Sequence, residues 1–166
     1  MRRTAFRILL VITVLAAVAP IVAAQTCEPP RSAVVPFVGP VFGCGFQIDV
    51  SVVSNNECQD VTTLDDGTTV TRITGRLVLS FTNINTGSDI IRNVSGPTTE
   101  TDHPDGTATF IGEGENWFAF GPRSQMNTGE PGLVFTSGLV VLQIADGAVK
   151  SFSLNGTQVN GCDLLR

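Results

Sequence analysis

The chain contains no tyrosine, one histidine, one tryptophan and two methionines in 166 residues. Each scarcity excludes some chemistry. A carbohydrate platform draws on Tyr and Trp, and 10 phenylalanines without a tyrosine favour a dry core instead. His103 is the one side chain that titrates near neutrality unperturbed. A serine triad around it lacks its nucleophile, because no Gly-x-Ser-x-Gly elbow is present. Zinc sites lack their ligand sets, since no Cys-x-x-Cys pair accompanies the lone histidine. The acidic turns Asp65-Asp66-Gly67 and Asp102–Asp105 do not have EF-hand spacing. No metal and no cofactor are expected. His103, beside Pro104-Asp105-Gly106, reads as an exposed turn residue.

Long apolar runs are also missing beyond the N-terminus. MRRTAFR is basic, Ile8 to Val18 is an apolar run, and Val22-Ala23-Ala24 is a small-residue site before Gln25. That is the three-part pattern of a secretory signal peptide, with cleavage expected near Ala24. The run falls short of the roughly 20 residues of a spanning helix. No stable membrane anchor is expected after cleavage, and the expected location is extracellular. Removing residues 1–24 lowers the basic residues from 10 to 7 and keeps all 15 acids, so net charge moves from −5 to −8. An acidic surface repels phosphate backbones and anionic membranes, which disfavours nucleic acid as a partner.

The remaining 142 residues suffice for one domain with one real core. Four cysteines, Cys27, Cys44, Cys58 and Cys162, remain in an exported chain and read as two disulfides. Three connectivities are open. Cys44–Cys162 with Cys27–Cys58 is favoured, because the first bridge ties the opening strand to the C-terminus.

Residues 25–43 carry Pro29, Pro30, Pro36 and Pro40 and read as an extended arm. From Cys44 onward the period is two. Phe46, Ile48, Val50 and Val52 alternate with Gln47, Asp49 and Ser51. Along 68–84, Ile73, Leu77, Leu79 and Phe81 share a face with Gly75, whose unshifted phase indicates a bend in one long strand, with a short turn at Thr74-Gly75 as the alternative. Arg72 and Arg76 share the other face, where salt bridges with acids are expected. Asp66-Gly67, Thr86-Gly87, Asp105-Gly106, Thr128-Gly129 and Asp146-Gly147 supply a steady series of hairpin turns. The expected strands are 45–53, 68–84, 88–95, 97–103, 107–113, 115–121, 133–144 and 148–155, with a loop at 122–132 and one helical turn in NGCDLLR. The fold class is all-β: about eight antiparallel strands in a meander, forming a closed or nearly closed up-and-down barrel, with a β-sandwich as the alternative. The β domain spans 44–166.

The most suggestive motif is FIGEGENWFAF at 110–120, where Glu113 and Glu115 adjoin Trp117 in an apolar run. On a regular strand the three share a face. Two close carboxylates can share a proton and act as acid and base. Gly112 and Gly114 bracket Glu113, however, and that spacing reads first as a solvated bend, then as the rim of a ligand site, and only then as a catalytic pair. Trp117, Phe118 and Phe120 are the candidate ligand-binding residues. Asn93-Val94-Ser95 and Asn155-Gly156-Thr157 fit the glycosylation acceptor, which matters only in a eukaryotic secretory route.

CGF at 44–46, TNINTG at 82–87, NVSGP at 93–97, DGTATFIGEG at 105–114 and the final cysteine resemble the landmarks of a group of uncharacterised exported actinobacterial β-proteins. The resemblance covers roughly 44–164 and rests mostly on turn chemistry. Members often carry only the first and last of these cysteines, which implies pairing of Cys44 with Cys162; Cys27 and Cys58 depart from the pattern and would form their own bridge. The family brings no activity with it. The function expected is a non-enzymatic exported binding or interaction module, one that binds a small apolar ligand or an envelope or extracellular component, or a purely structural or interaction module with a filled core. The alternative is an isomerase or cyclase acting on a small apolar substrate through Glu113 and Glu115.

Overall fold

The computed structural model describes residues 37–40 and 44–166. The expected signal peptide, and the arm apart from Phe37–Pro40, lie outside the described residues.

Two long hairpins frame the molecule. β2 (Gln47–Thr63) and β3 (Thr69–Asn83) form the first, and β8 (Leu133–Ala145) and β9 (Ala148–Asn160) the second. Their turns are the Asp-Gly pairs read from the sequence. Gly67 has φ of 86°, and Asp146 and Gly147 have φ of 52° and 68°, the positive values that tight hairpin turns need. β1 (Phe37–Pro40) adds a short antiparallel edge to β2, in keeping with its terminal proline.

Four short strands lie between the hairpins: β4 (Asp89–Asn93), β5 (Thr98–Asp102), β6 (Ala108–Gly112) and β7 (Glu115–Ala119). β4 and β5 lie end to end along β3 in one register, with Val78 opposite Asn93 and Ile73 opposite Thr98. The Val94 N–H donates to the Leu77 carbonyl across the break. β6 and β7 lie end to end along β8 in the same manner, with Gly112 opposite Val140 and Glu115 opposite Ser137. Gly138 N–H donates to the Gly114 carbonyl at that break. The fold is thus one antiparallel sheet in two halves, β1–β2–β3 with β4 and β5, and β9–β8 with β6 and β7, welded by the β5–β6 ladder.

Past that weld β4 and β7 are not paired, and the sheet forks. The core fills the fork. Ile48, Val50, Leu79 and Phe81 from one layer meet Leu133 and Phe135 from the other, with Trp117 packed against them. Phe81 makes edge-to-face contacts with Trp117 at 5.2 Å and Phe135 at 4.9 Å. The Cys44–Cys162 disulfide, with a Cα–Cα distance of 4.9 Å, ties the two layers together. α2 (Gly161–Leu164) supplies Cys162, and Leu165 behind it is fully buried. Phe110, Phe118, Phe120 and Phe152 build a second aromatic cluster; Phe118 stacks on Phe120, and both meet Phe152 edge to face.

Gly75 and Gly138 make the fork. Each sits on the central strand of its half where the short partner changes, with φ of 121° and 129°. A Cβ at Gly75 would stand 2.4 Å from the Asn56 carbonyl oxygen, and one at Gly138 2.3 Å from that of Asn155. The ladder runs through Gly75 without a shift, as its phase indicated, while β2 carries a bulge between Val52 and Ser54.

The all-β class holds, but the sheet is open rather than a closed up-and-down barrel. Because β4 with β5, and β6 with β7, share one position each, fewer strands cross the sheet than an eight-stranded barrel requires. Three local expectations also change. β2 runs to Thr63, ten residues past the expected end at 53, and β9 runs to Asn160. Residues 122–132 are not all loop: α1 (Pro122–Thr128) has Pro at its first turn and Gly129 at its C-cap with φ of 74°, so Thr128-Gly129 ends a helix instead of turning a hairpin.

Candidate functional site

A cavity of about 320 Å³ opens at the crotch of the fork. Ile73 and Leu77 of β3, Phe110 of β6, Leu142 of β8 and Val94 between β4 and β5 form its apolar walls. Trp117 and Phe118, from successive positions of β7, both line it. Gly96, Thr98, Asn116 and Glu57 complete the lining.

The kinks at 94–97 and 113–114 shape this space. Pro97 accepts from the Glu113 N–H, the last link of the weld before the strands part. Gly96 lies so close to the other kink that a Cβ there would overlap the Glu113 carbonyl oxygen. Asn116 is buried, and its Nδ2 donates weakly to the carbonyls of Glu113 and Gly114 at 3.4 and 3.5 Å. The Ser95 hydroxyl bridges the facing strand, accepting from Leu77 N–H at 2.7 Å and donating to its carbonyl at 3.1 Å.

Glu57 is the ionisable residue among the described residues of the lining. It lies on β2 opposite Gly75 and is half-buried. Burial pushes its carboxyl above the usual carboxylate range. No described side chain bonds to or pairs with that carboxylate. Glu100 of β5, opposite Phe110, is also half-buried; burial first, and the charge of Asp102 second, push its carboxyl up.

The sequence-derived candidates separate. Trp117 and Phe118 line the cavity; Phe120 is buried beneath Phe118 and packs without lining it. Glu113 and Glu115 are exposed and neither enters the cavity. Glu113 instead borders a separate polar depression of about 220 Å³ with Arg72, Thr74 and Thr99. The acid-pair chemistry required both carboxylates in one apolar space, and the kink turns them away from it.

His103 is an exposed turn residue. It lies between two matching Asp-Gly-Thr turns. Thr68 N–H donates to Asp66 and Thr107 N–H to Asp105, each at 2.9 Å. The Thr68 N–H and then its side chain lower the Asp66 carboxyl from its ordinary value, and the Thr107 hydroxyl, donating at 2.7 Å, and then its N–H lower that of Asp105, with a smaller contribution from His103 to each. Among the described residues no group of three or more His, Cys, Asp or Glu is placed to hold a metal ion. No helix among them is long and apolar enough to cross a membrane. Cys58 is disulfide-bonded, while Cys27, its expected partner, lies outside the described residues.

Sequence reading missed Glu57 and Asn116. Glu57 stands in SNNECQDVTT, where polar residues on both faces erase the alternation that marks a strand. Asn116 stood inside the quoted motif, but its burial follows from the fork and not from local pattern. Compared with protein-family models, with curated proteins and with solved structures, the chain matches none.

Proposed function

We propose that the chain is an exported, disulfide-stabilised β-protein that binds a small apolar ligand in the cavity of the fork, without catalysis. The observation that carries this reading is the cavity itself: about 320 Å³, walled mainly by Ile73, Leu77, Phe110, Trp117, Phe118 and Leu142. That volume lies at the lower end of the range for small-molecule sites, and apolar walls with a few polar groups are their usual chemistry. The N-terminal pattern of residues 1–24, the four cysteines and the landmarks shared with exported actinobacterial β-proteins support the location.

Native mass spectrometry of protein secreted by its own host tests the reading, together with titration by the neutral apolar fluorophore N-phenylnaphthylamine. A co-purified small molecule that the fluorophore displaces is expected. Narrowing the cavity by Thr98→Phe should weaken fluorophore binding. Ligand-free spectra combined with no fluorophore binding overturn the proposal.

A further inference from the structure

We propose that the cavity selects ligands carrying a protonated amine on a small apolar or aromatic body, with Glu57 as the counter-ion. This rests on the ligand-binding reading above and specifies its ligand. Among the described residues the lining contains a carboxylate and no cation. Asn116 directs its Nδ2 at the Glu113 and Gly114 carbonyls. Among the described lining residues Glu57 offers acceptors only, the Asn116 amide and the Thr98 hydroxyl serve either way, and Trp117 carries an indole N–H donor.

Phe110, Trp117 and Phe118 add aromatic walls to the same space. Ring faces attract ammonium groups, most strongly for tryptophan and more so when partly desolvated. A half-buried carboxylate without a described partner bears a desolvation cost that a bound cation offsets. An anionic ligand would face that carboxylate and the net charge of −5 on the whole chain.

The test compares three probes of one shape by isothermal titration calorimetry at neutral pH: naphthylmethylamine (cationic), ethylnaphthalene (neutral) and naphthylacetate (anionic). The amine is expected to bind about tenfold more tightly than the neutral probe, and the acid most weakly. In Glu57→Gln the amine should lose that advantage while the neutral probe binds as before. Equal binding of amine and neutral probe to the wild-type protein overturns the inference and leaves apolar ligand binding intact. Failure of all three to bind overturns both. An amine preference that survives in Glu57→Gln overturns the role given to Glu57. Circular dichroism establishes that the variant is folded; if it is not, the shorter, charge-conserving Glu57→Asp takes its place and should weaken the preference without abolishing neutral binding.

Discussion

The side-chain amide of Asn83 donates to the main-chain carbonyl of Leu165 at 3.0 Å, across a separation of 82 residues. Asn83 also accepts from the Asn85 N–H at 2.9 Å, so one buried side chain holds both the β3–β4 turn and the C-terminal tail. The turn motif TNINTG therefore does more than reverse the chain. Asn83→Ala should cost about 1–3 kcal/mol, because it strands a carbonyl in the core and frees the turn. Urea denaturation with the disulfides intact measures this. A loss under about 0.5 kcal/mol, the scale of a surface change, would show that the tail is held by other contacts.

The same tail is tied covalently by Cys44–Cys162, with a sequence separation of 118. A loop of that length constrains the unfolded chain by about 4–5 kcal/mol in the entropy model. The double variant Cys44→Ala/Cys162→Ala should lose stability on that scale, read by denaturation without reductant. Because Asn83 and the bridge secure one tail, their losses should be less than additive when combined.

Gly75 and Gly138 should be among the least replaceable glycines of the described chain, since they combine a clash with a positive φ. Alanine at either meets a carbonyl oxygen of the paired strand and a φ that L residues rarely adopt. Gly87 has φ of 75° but open space around it, so Gly87→Ala carries the backbone cost alone, about 1 kcal/mol. Thermal unfolding should rank Gly75→Ala and Gly138→Ala well below Gly87→Ala. Equal losses would mean that the strands separate freely at the bend.

Much of this fold is legible in the sequence because it is written in local terms. Alternation marks the buried halves of β2, β3 and β8, and Asp-Gly pairs mark the hairpin turns. The joining of β4 to β5, and of β6 to β7, is not local. VSGP and EG resemble hairpin tips, yet each is a kink in a strand whose direction does not reverse. Only the constant register along β3 and β8 distinguishes the two, and register is a tertiary property. For the same reason Trp117 and Phe118 were identifiable as aromatic candidates, while Glu57 was not. Its place on the wall depends on a polar strand segment that pairing with β3, not pattern, keeps extended.

Glu113 and Glu115 should prove dispensable. Both are exposed at the kink, and neither carboxylate lines the cavity. Glu113→Gln/Glu115→Gln should stay within about 0.5 kcal/mol of the parent stability per site and bind N-phenylnaphthylamine with unchanged affinity. A large loss of fluorophore affinity would place these carboxylates at the site after all.

Glu57 gives the protein a pH dependence of definite sign. Its folded-state carboxyl lies above its ordinary value, with burial as the cause. Between the ordinary and the raised value the folded state keeps a proton that the unfolded state has released. Its contribution is therefore fully present below the unfolded pKa and is lost as pH rises through the folded one. Glu100 acts in the same direction, through burial and then Asp102. Asp66 and Asp105 act oppositely: their hydrogen bonds from Thr68 and Thr107 favour the charged form, and that stability is lost as pH falls through their lowered values. Glu57→Gln removes one of the first pair. The variant should exceed the parent in stability at neutral pH and show no such gain near pH of about 4, where the unfolded glutamate takes up its proton. Denaturant titrations at the two pH values measure the difference. Equal gains at both would trace the effect to packing instead of ionisation, and a loss at neutral pH would mean that the ionised carboxylate is stabilised in the fold.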